Sequence, residues 1–438
     1  MCTRKIASLR RPFAWLLLAS LAYAGGIWIA RAGPETAPVL RVNLKGAINP
    51  AMARYVIRGI EQAEEDGDQA LIIQMYTPGG LDTSMRDIIS KILASRVPVV
   101  TYVAPDGARA ASAGAIIALA SHVIAMSPAT NIGAAHPVEI TGKYASEKVV
   151  NDSAAYAKFL AKRRGRNVQW AEMVVRKAIS STAEEAKARG VVDIIAPDTQ
   201  SLLNQLDGRN IRVADKTVTL HTRSAPVRDL PMNATERFLH IIADPNVAYI
   251  LMLIAIYGII AELNNPGAVF PGVVGAIALV MAFYALAVLP TNVAGLLLIV
   301  LSVALFITDV FVPSHGALTV GGIVSFALGS FMLFERGSPA FSLSISLLIS
   351  GVVVTSVFFA VIVGTGLRSL RNPVVTGVEG LLGKTGTART DVAPEGKVFV
   401  DGAYWNARVE GDHLETGDKC AVLAVEGFTL VVRKKLET

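Results

Sequence analysis

The segment from Asp106 to Gly114, DGARAASAG, carries one hydroxyl side chain, that of Ser112. Alanines and glycines flank this serine on both sides, so a ligand can approach the backbone closely. Upstream, the apolar run from Ala70 to Gln74 is typical of a buried strand, and it leads to the turn Thr77-Pro78-Gly79-Gly80. Such a turn presents backbone N–H groups, the donors that stabilise an oxyanion during acyl transfer. The combination of this serine with the Gly79-Gly80 turn favours a nucleophile at Ser112 over the alternative, a serine that only serves as a small residue in helix packing.

The oxyanion hole is predicted beside the nucleophile. We expect its donors to be the backbone N–H of Gly79 or Gly80 and that of Ala113, the residue after Ser112. The apolar run over 113–121 predicts a helix that starts at this point. The N-terminus of that helix adds partial positive charge where the oxyanion forms.

Several separate motifs follow one another along the chain: DGARAASAG at 106–114, ALASH at 118–122, MSPATNIGA at 126–134, ELNNPGA at 262–268 and PGVVGA at 271–276. With these motifs the chain resembles the NfeD family of membrane-bound serine proteases, whose catalytic domain is ClpP-like. The resemblance runs over nearly the whole chain. It implies a serine endopeptidase that prefers hydrophobic segments, with a stomatin-like (SPFH) membrane protein as substrate or partner, and at least a homodimer.

The resemblance also implies a serine–lysine dyad, with the lysine on the helix that follows a flexible segment. Matching Glu147-Lys-Val-Val to that place selects Lys148 as the general base, with Lys143 as its nearest competitor. An ammonium group has an ordinary pKa near 10.4, so it must be desolvated before it can act as a base near neutral pH. The sequence does not show whether Lys148 is buried.

A second design is a triad like that of ClpP, with a histidine after the serine. His136 follows Ser112 by 24 residues, close to the spacing expected in ClpP, and is therefore the alternative base. No convincing orienting aspartate follows it, so a loop histidine that lines the substrate groove is the preferred interpretation. His122 lies just before a predicted strand, where a structural hydrogen bond is the expected role.

Residues 36–228 alternate between apolar strands and helices. Strands are predicted at 39–44, 71–75, 97–103 and 123–126, and helices at 51–66, 83–95, 113–121 and 147–164. Strand–helix repeats of this kind imply parallel pairing with right-handed crossovers. The fold class of this domain is therefore α/β, and the resemblance makes it a ClpP/crotonase-like serine protease domain.

The flanking regions predict a membrane protein. Residues 1–32 combine a basic start with an apolar run, as in a signal peptide or signal anchor, so the next domain is exported. From 246 to 367 charge nearly vanishes, and breaks divide the region into about five helical spans. Arg368 and Arg371 follow the last span, which makes that end cytoplasmic. The predicted location is the cell membrane, multi-pass, with the protease domain extracytoplasmic and the C-terminal domain cytoplasmic.

Residues 376–437 return to short alternating strands separated by turns such as Asp401-Gly402. Five strands in about sixty residues predict a small all-β barrel, which the resemblance identifies as an OB-fold. Basic and aromatic side chains are not clustered on one strand face, so protein docking is favoured over nucleic-acid binding.

The composition agrees with a membrane protein. Apolar residues make up 52% of the 438 residues, and mean hydropathy is +0.48, both high for a soluble protein. The net charge of +6 is spread over all polar regions, so it indicates positive-inside loops rather than nucleic acid. The two cysteines, Cys2 and Cys420, lie at opposite ends of the sequence. No metal and no cofactor are predicted.

Two other functions remain open. The membrane spans and the barrel are also suited to a non-proteolytic scaffold for a stomatin/SPFH assembly, in which the protease fold serves as a docking surface. A crotonase-type acyl-CoA enzyme is a third possibility, which an exported domain argues against. The main prediction is an exported, membrane-tethered serine endopeptidase.

Overall fold

The computed structural model describes residues 36–138, 145–264, 267, 269–312, 314, 316–334, 341–371 and 378–435. The predicted leader at 1–32, Lys143 and most of the predicted flexible segment lie outside these residues. Two compact units are present, one within residues 1–304 and 324–352 and the other within 305–323 and 353–438.

The α/β part of the first unit contains eleven described strands. They are β1 (Val39–Lys45), β2 (Ala70–Tyr76), β3 (Val99–Val103), β4 (Arg109–Ala111), β5 (Val123–Met126), β6 (Asn131–Gly133), β7 (Ser180–Thr182), β8 (Ile194–Ile195), β9 (Asn210–Val213), β10 (Lys216–Thr219) and β11 (Val227–Asp229). Six of them form a parallel sheet in the order β11-β1-β2-β3-β5-β8. Helices cover this sheet, which explains why β3 is buried along its whole length.

Eight helices connect or follow these strands. They are α1 (Pro50–Asp66), α2 (Asp82–Ala94), α3 (Ala113–Ala120), α4 (Glu147–Arg163), α5 (Val168–Arg176), α6 (Ala183–Ala188), α7 (Thr199–Leu206) and α8 (Ala234–Ile242). The start of α1 is defined by two local features. The Asn49 side chain caps the helix by accepting from the Met52 N–H, and proline occupies the first helical position. α6 begins with a capping box between Thr182 and Glu185. The predicted α/β class is confirmed by this succession of elements.

A second, smaller sheet leads to Ser112, the predicted nucleophile. In it β4 pairs parallel to β6, and β6 pairs antiparallel to β7. β4 ends at Ala111, immediately before Ser112, and α3 begins immediately after it. The small sheet therefore holds Ser112 at the carboxyl ends of the main parallel strands, beside the turn that follows β2.

The described part of the predicted membrane region contains five helices: α9 (Pro245–Asn264), α10 (Phe270–Val288), α11 (Val293–Phe311), α12 (Ala317–Leu333) and α13 (Ile345–Arg371). The segments Pro245–Leu263 and Phe270–Val288 have the length and hydropathy of membrane spans, and the apolar parts of the other three are shorter. α9 and α10 approach closely through Gly258 and Gly275, as small residues allow in a membrane. The number of spans remains a prediction.

The C-terminal part of the second unit is a closed five-stranded barrel, as predicted. Its strands are β12 (Thr385–Ala388), β13 (Glu395–Val400), β14 (Ala403–Val409), β15 (Lys419–Glu426) and β16 (Thr429–Lys434). They close in the order β12-β13-β14-β16-β15 around an apolar core, an arrangement consistent with an OB-fold. Cys420 is buried in this core and is a free thiol.

Candidate active site

Ser112 occupies a strained turn between a strand and a helix. Its backbone has φ 54° and ψ −121°, a conformation that non-glycine residues rarely adopt. The strain is held in place, since the Ser112 N–H donates to the Gly133 carbonyl at 2.9 Å. Serine nucleophiles of hydrolases are presented in this manner, on a sharp strand-to-helix turn that exposes the hydroxyl. A strained residue of this kind points to function.

The turn after β2 packs directly against Ser112. Gly79 has φ +122°, and a Cβ built on it would lie 2.7 Å from the Ser112 Cβ and 3.1 Å from its Oγ. Glycine is therefore required twice, for the backbone conformation and for the close approach. Thr77 ties this turn to the small sheet, because its N–H donates to the Arg109 carbonyl and its carbonyl accepts from the Ala111 N–H.

The three predicted oxyanion donors differ in their hydrogen bonding. The Gly79 N–H donates to the Thr77 hydroxyl at 3.0 Å, so it already has a partner. Gly80 and Ala113 both line a cavity next to Ser112, and the described residues give neither N–H an acceptor. Ala113 is also the first residue of α3, where the helix dipole is positive. The geometry therefore favours Gly80 with Ala113.

The cavity beside Ser112 has a volume of about 140 Å³, close to that of an engineered cavity that admits benzene. Its lining is mixed, with apolar side chains such as Met85, Ile116 and Val175 beside the polar side chains of Asp82 and Arg86. The lining residues that matter for a substrate are Met85, Ile116, His136, Pro137, Tyr156 and Val175. One apolar side chain of a bound peptide can be accommodated next to the nucleophile.

His136 lines the same cavity as Ser112. Its Nδ1 is 2.8 Å from the Val175 carbonyl oxygen, so Nδ1 carries the proton and Nε2 is the basic nitrogen of the neutral ring. Backbone atoms hold the loop in place: the Ala135 N–H donates to the Val174 carbonyl at 2.9 Å. A carbonyl thus orients this histidine where a triad would use a carboxylate.

Lys148 lies in a different environment. It is the second residue of α4 and is exposed, and it is absent from the described lining of the cavity. Ser153 and Tyr156 of the same helix do line the cavity, so α4 itself flanks the site. The structure thus brings Ser112, Gly80, Ala113 and His136 together, and the base role of Lys148 stays a prediction.

His122 has the structural role that the sequence predicts. Its Nδ1 accepts from the Val99 N–H at 3.1 Å. Burial, and then the nearby positive charges of Arg164, Arg166 and Arg163, lower the pKa of His122 to about 3. Such a group stays neutral at physiological pH and belongs to the opposite, amino-terminal edge of the sheet.

The sequence did not identify several residues of the site, because their roles depend on contacts that form only in the folded structure. Thr77 donates from its hydroxyl to the Gly46 carbonyl at 2.7 Å and so fixes the turn. The Arg86 guanidinium lies 4.7 Å from the centre of the Tyr156 ring, and the two side chains form one wall of the cavity. Of these residues only Thr77 has a cue in the sequence, because it lies two residues before Gly79 in the predicted turn.

A strained serine with adjacent backbone donors, on a chain that also has long apolar helices, defines a membrane protein with a serine-hydrolase type of site. Three family models match in succession: "NfeD1b, N-terminal domain" at 38–211, "NfeD integral membrane domain" at 246–365 and "NfeD-like C-terminal, partner-binding domain" at 378–434. The chain belongs to the NfeD family.

Two relatives span nearly the whole chain. The chain is 36% identical over 415 residues to the membrane-bound protease PH1510 of Pyrococcus horikoshii, covering 90% of this chain and 94% of the relative. It is 27% identical over 428 residues to the membrane protein NfeD1b of Bacillus subtilis, covering 92% and 94%. The predicted family and membrane location are confirmed, whereas the orientation of the domains stays a prediction.

Among solved structures, the chain is similar to the 1510-N membrane protease specific for a stomatin homolog from Pyrococcus horikoshii. The identity is 37% and the TM-score 0.43, over 48% of this chain and 100% of that one. The C-terminal domain of the stomatin operon partner protein 1510-C from the same organism is 35% identical, with a TM-score of 0.14, over 14% and 98%.

Proposed function

We propose that this protein is a membrane-bound serine endopeptidase. The observation that carries the proposal is the strained backbone of Ser112, held against Gly79 with the N–H groups of Gly80 and Ala113 beside it. Strain at a serine has no packing purpose here, since an ordinary helix start requires no positive φ. It has a catalytic purpose, because it presents the hydroxyl to a bound carbonyl.

The reaction proceeds in two acyl transfers. The Ser112 Oγ attacks the peptide carbonyl and gives up its proton to a base, and the resulting oxyanion accepts hydrogen bonds from the Gly80 and Ala113 N–H groups. The C–N bond then breaks, the departing amine takes the proton, and the acyl group remains on Ser112. Water, deprotonated by the same base, releases the acid and restores the hydroxyl.

Two residues are candidates for the base, and they draw on different support. The family resemblance favours Lys148, whose place on α4 puts it on the helix that flanks the cavity. The contacts favour His136, which lines the cavity with Ser112 and is oriented by the Val175 carbonyl. Catalytic contacts are often loose before substrate binds, so exposure alone does not exclude Lys148. We retain Lys148 as the proposed base and His136 as its competitor.

The proposed substrate is an apolar segment of a stomatin-like membrane protein. The apolar part of the cavity lining, formed by Met85, Ile116 and Val175, supports a hydrophobic residue next to the cleaved bond. The relative from Pyrococcus horikoshii is named a membrane-bound protease, and a solved structure similar to this chain is named as specific for a stomatin homolog. The C-terminal barrel matches a partner-binding domain, which suits docking of such a protein.

The proposed orientation places the protease domain outside the cytoplasm and the barrel inside it, and we expect at least a homodimer. The alternative is a scaffold without proteolysis, in which the barrel and membrane helices assemble a stomatin/SPFH complex. The strained geometry of Ser112 argues against that alternative, since a docking surface has no need of it.

The test is hydrolysis of a hydrophobic fluorogenic peptide by the full chain in detergent micelles. Wild type is compared with Ser112→Ala, Lys148→Ala and His136→Ala. Lys162→Ala, an exposed lysine on the same helix, and His221→Ala, an exposed histidine elsewhere, are the matched controls. A fluorophosphonate probe, which labels activated serines, is the second readout.

We expect Ser112→Ala to lose roughly 10⁴-fold or more of the activity and all probe labelling. Loss with Lys148→Ala and retention with His136→Ala establish the dyad, and the reverse result establishes histidine as the base. If well-folded wild type neither cleaves any hydrophobic peptide nor labels with the probe, the scaffold function replaces this proposal.

A further inference from the structure

A short series of contacts connects Ser112 to α8, the helix that leads into the membrane. Gly79 packs against Ser112, its N–H donates to the Thr77 hydroxyl, and that hydroxyl donates to the Gly46 carbonyl. A Cβ on Gly46 would lie 3.7 Å from the His240 Nε2. Two of these links are hydrogen bonds and two are close approaches to a glycine, so with a few Å inside each residue His240 lies within roughly 25 Å of Ser112.

α8 runs along α1 toward the carboxyl edge of the sheet. At one end the Arg58 guanidinium pairs with the Glu236 carboxylate at 2.7 Å. At the other end the His240 Nδ1 lies 3.3 Å from the Asn49 Oδ1, and Asn49 caps the first turn of α1. Because α1 begins where β1 ends, this second end of α8 lies at the same sheet edge as Ser112.

The first membrane helix starts only two residues after α8. Asp244 caps it, since its Oδ1 accepts from the Asn246 N–H at 2.8 Å and its carbonyl accepts from the Ala248 N–H at 2.9 Å. α8 also contacts both α9 and α10. So short and capped a connection leaves little room for the domain to move away from the membrane helices.

α8 carries an apolar surface that the described residues leave uncovered. Phe238 and Ile241, three residues apart and so on one face of the helix, are 53% and 51% exposed. Tyr76 at the end of β2 is also exposed, and its carbonyl accepts from the Gly46 N–H. Apolar and aromatic side chains beside the start of a membrane helix fit the lipid–water interface. The bilayer surface is thus the occupant of this face.

From these contacts we infer that the Ser112 cavity lies at the bilayer surface and that the enzyme cleaves membrane-anchored proteins close to their point of anchoring. The inference rests on the proposed proteolytic function and adds a positional rule to it. A segment tethered near the membrane meets the site at a high effective concentration, whereas the same segment far along a flexible chain does not.

The rule is tested with the full chain in lipid vesicles that also contain a designed single-span substrate. The substrate carries the apolar segment cleaved in the peptide assay, joined to its span by flexible Gly/Ser linkers of about 10, 30 or 60 residues, whose mean lengths grow as roughly 5–6 Å times the square root of residue number. The free peptide is assayed with the same vesicles.

We expect the linker of about 10 residues to give the fastest cleavage and that of about 60 residues to be roughly tenfold slower, because effective concentration falls with about the −3/2 power of length. Equal rates, or faster cleavage with the longest linker, overturn the inference. Faster cleavage with the longest linker is expected if the site lies on the far edge of the domain, roughly 40 Å from the membrane surface for a domain of this size. If the free peptide is not cleaved either, the proposed function itself has failed.

A variant of the enzyme sharpens the test. Insertion of about 20 Gly/Ser residues between Asp244 and Pro245 frees the domain from α9, so the preference for the short linker should fall about threefold or more while free-peptide cleavage is unchanged. The same insertion between Ala214 and Asp215, in the exposed turn of the β9–β10 hairpin, is the control and should leave the preference intact. Loss of the preference in the control, or its full retention in the first variant, contradicts the inference.

Discussion

The two edges of the parallel sheet in the first unit are built in opposite ways. At the carboxyl edge Ser112 is strained, Gly79 tolerates no side chain, and two backbone donors have no partner within the described residues. At the amino edge buried arginine side chains donate to backbone carbonyls, although the Arg166 Nε and the Asp68 Oδ1 have no partner among the described residues. Arg164 donates to the Ala120 carbonyl at 2.7 Å, and the buried Arg166 donates to the Leu119 and Ser121 carbonyls, so both satisfy the C-terminus of α3.

This difference teaches that a strongly shifted pKa does not by itself locate a site. The large downward shift belongs to His122, which burial and three arginines keep neutral at the amino edge. The candidate active site lies at the other edge, where backbone strain and available donors mark it. Structural ion-pair networks also shift pKa values, so geometry has to decide between the two.

The largest expected effect comes from the amino edge. Arg166→Leu removes the partner of Asp193, at 2.8 Å, and a donor to three backbone carbonyls, those of Leu119, Ser121 and His122. We expect a loss of about 3–5 kcal/mol in the stability of this domain, with activity per folded molecule retained. Hydrogen exchange of β5 in the detergent-solubilised chain measures it.

The control for this variant is Arg176→Leu, which breaks an exposed pair with Glu172 on one helix. That change should cost no more than about 0.5 kcal/mol. Equal protection of β5 in both variants would show that the arginine cluster is dispensable.

The second prediction concerns pH. In the unfolded chain His122 takes up a proton near its ordinary pKa of 6.5, but in the folded protein only near 3. The unfolded state therefore binds more protons between these values, and stability falls as the pH drops through the window, by about 2–4 kcal/mol. Above the unfolded pKa the effect is absent. β5 exchange rates, corrected for intrinsic pH dependence, report the loss.

His122→Asn serves as the comparison for the pH effect, because its side-chain oxygen can accept from the Val99 N–H without titrating. The variant should lose less stability than wild type across this range. An identical pH profile in both proteins would assign the effect to other groups.

The third prediction addresses the carboxyl edge. Gly79→Ala places a Cβ 2.7 Å from the Ser112 Cβ at a backbone conformation with φ +122°. The nucleophile must shift, and we expect a loss of about 100-fold or more in kcat/KM. Gly107→Ala is a matched control, since it also has positive φ (+81°) but no atom within 4 Å of its Cβ. Equal losses in both would mean that backbone strain, and not the contact with Ser112, is responsible.

The smallest effect is expected for Thr77→Val, which keeps the shape of the side chain and removes its hydroxyl. The Gly46 carbonyl loses its donor and the Gly79 N–H its acceptor. We expect about 1–2 kcal/mol of destabilisation and a roughly tenfold drop in kcat, because the turn is less firmly held. Thr101→Val at the buried Thr101–Ser121 hydrogen bond is the control, and it should affect stability without affecting kcat.

Much of the fold could be predicted because its signals are local. Buried strands such as β3 and the five short strands of the barrel each depend on residues close together in the sequence. The predicted helix at 147–164 matches α4 within one residue. Hydropathy alone identified the membrane region, since lipid excludes charge over whole segments.

The site was predictable only in part. Ser112 and the glycine turn were recognised from their composition and spacing. The hydrogen bond from the Gly79 N–H to the Thr77 hydroxyl, which makes Gly80 the better oxyanion donor, forms only in the fold. The predicted dyad shows the same limit, because exposure of Lys148 is a property of packing, which sequence does not reveal. His136 was ranked below Lys148 as the general base because no aspartate to orient it was found in the sequence. In the fold the Val175 backbone carbonyl orients it instead.

The sequence by itself determined the order of the three parts and the membrane location, and it predicted Ser112 as the nucleophile, because each is encoded by residue type over a short stretch. Only the tertiary structure decided which groups meet Ser112 and which edge of the sheet leads into the membrane. Those relations join residues that are far apart in the chain, such as Gly46 and His240, and close packing between distant segments is fixed by the fold as a whole.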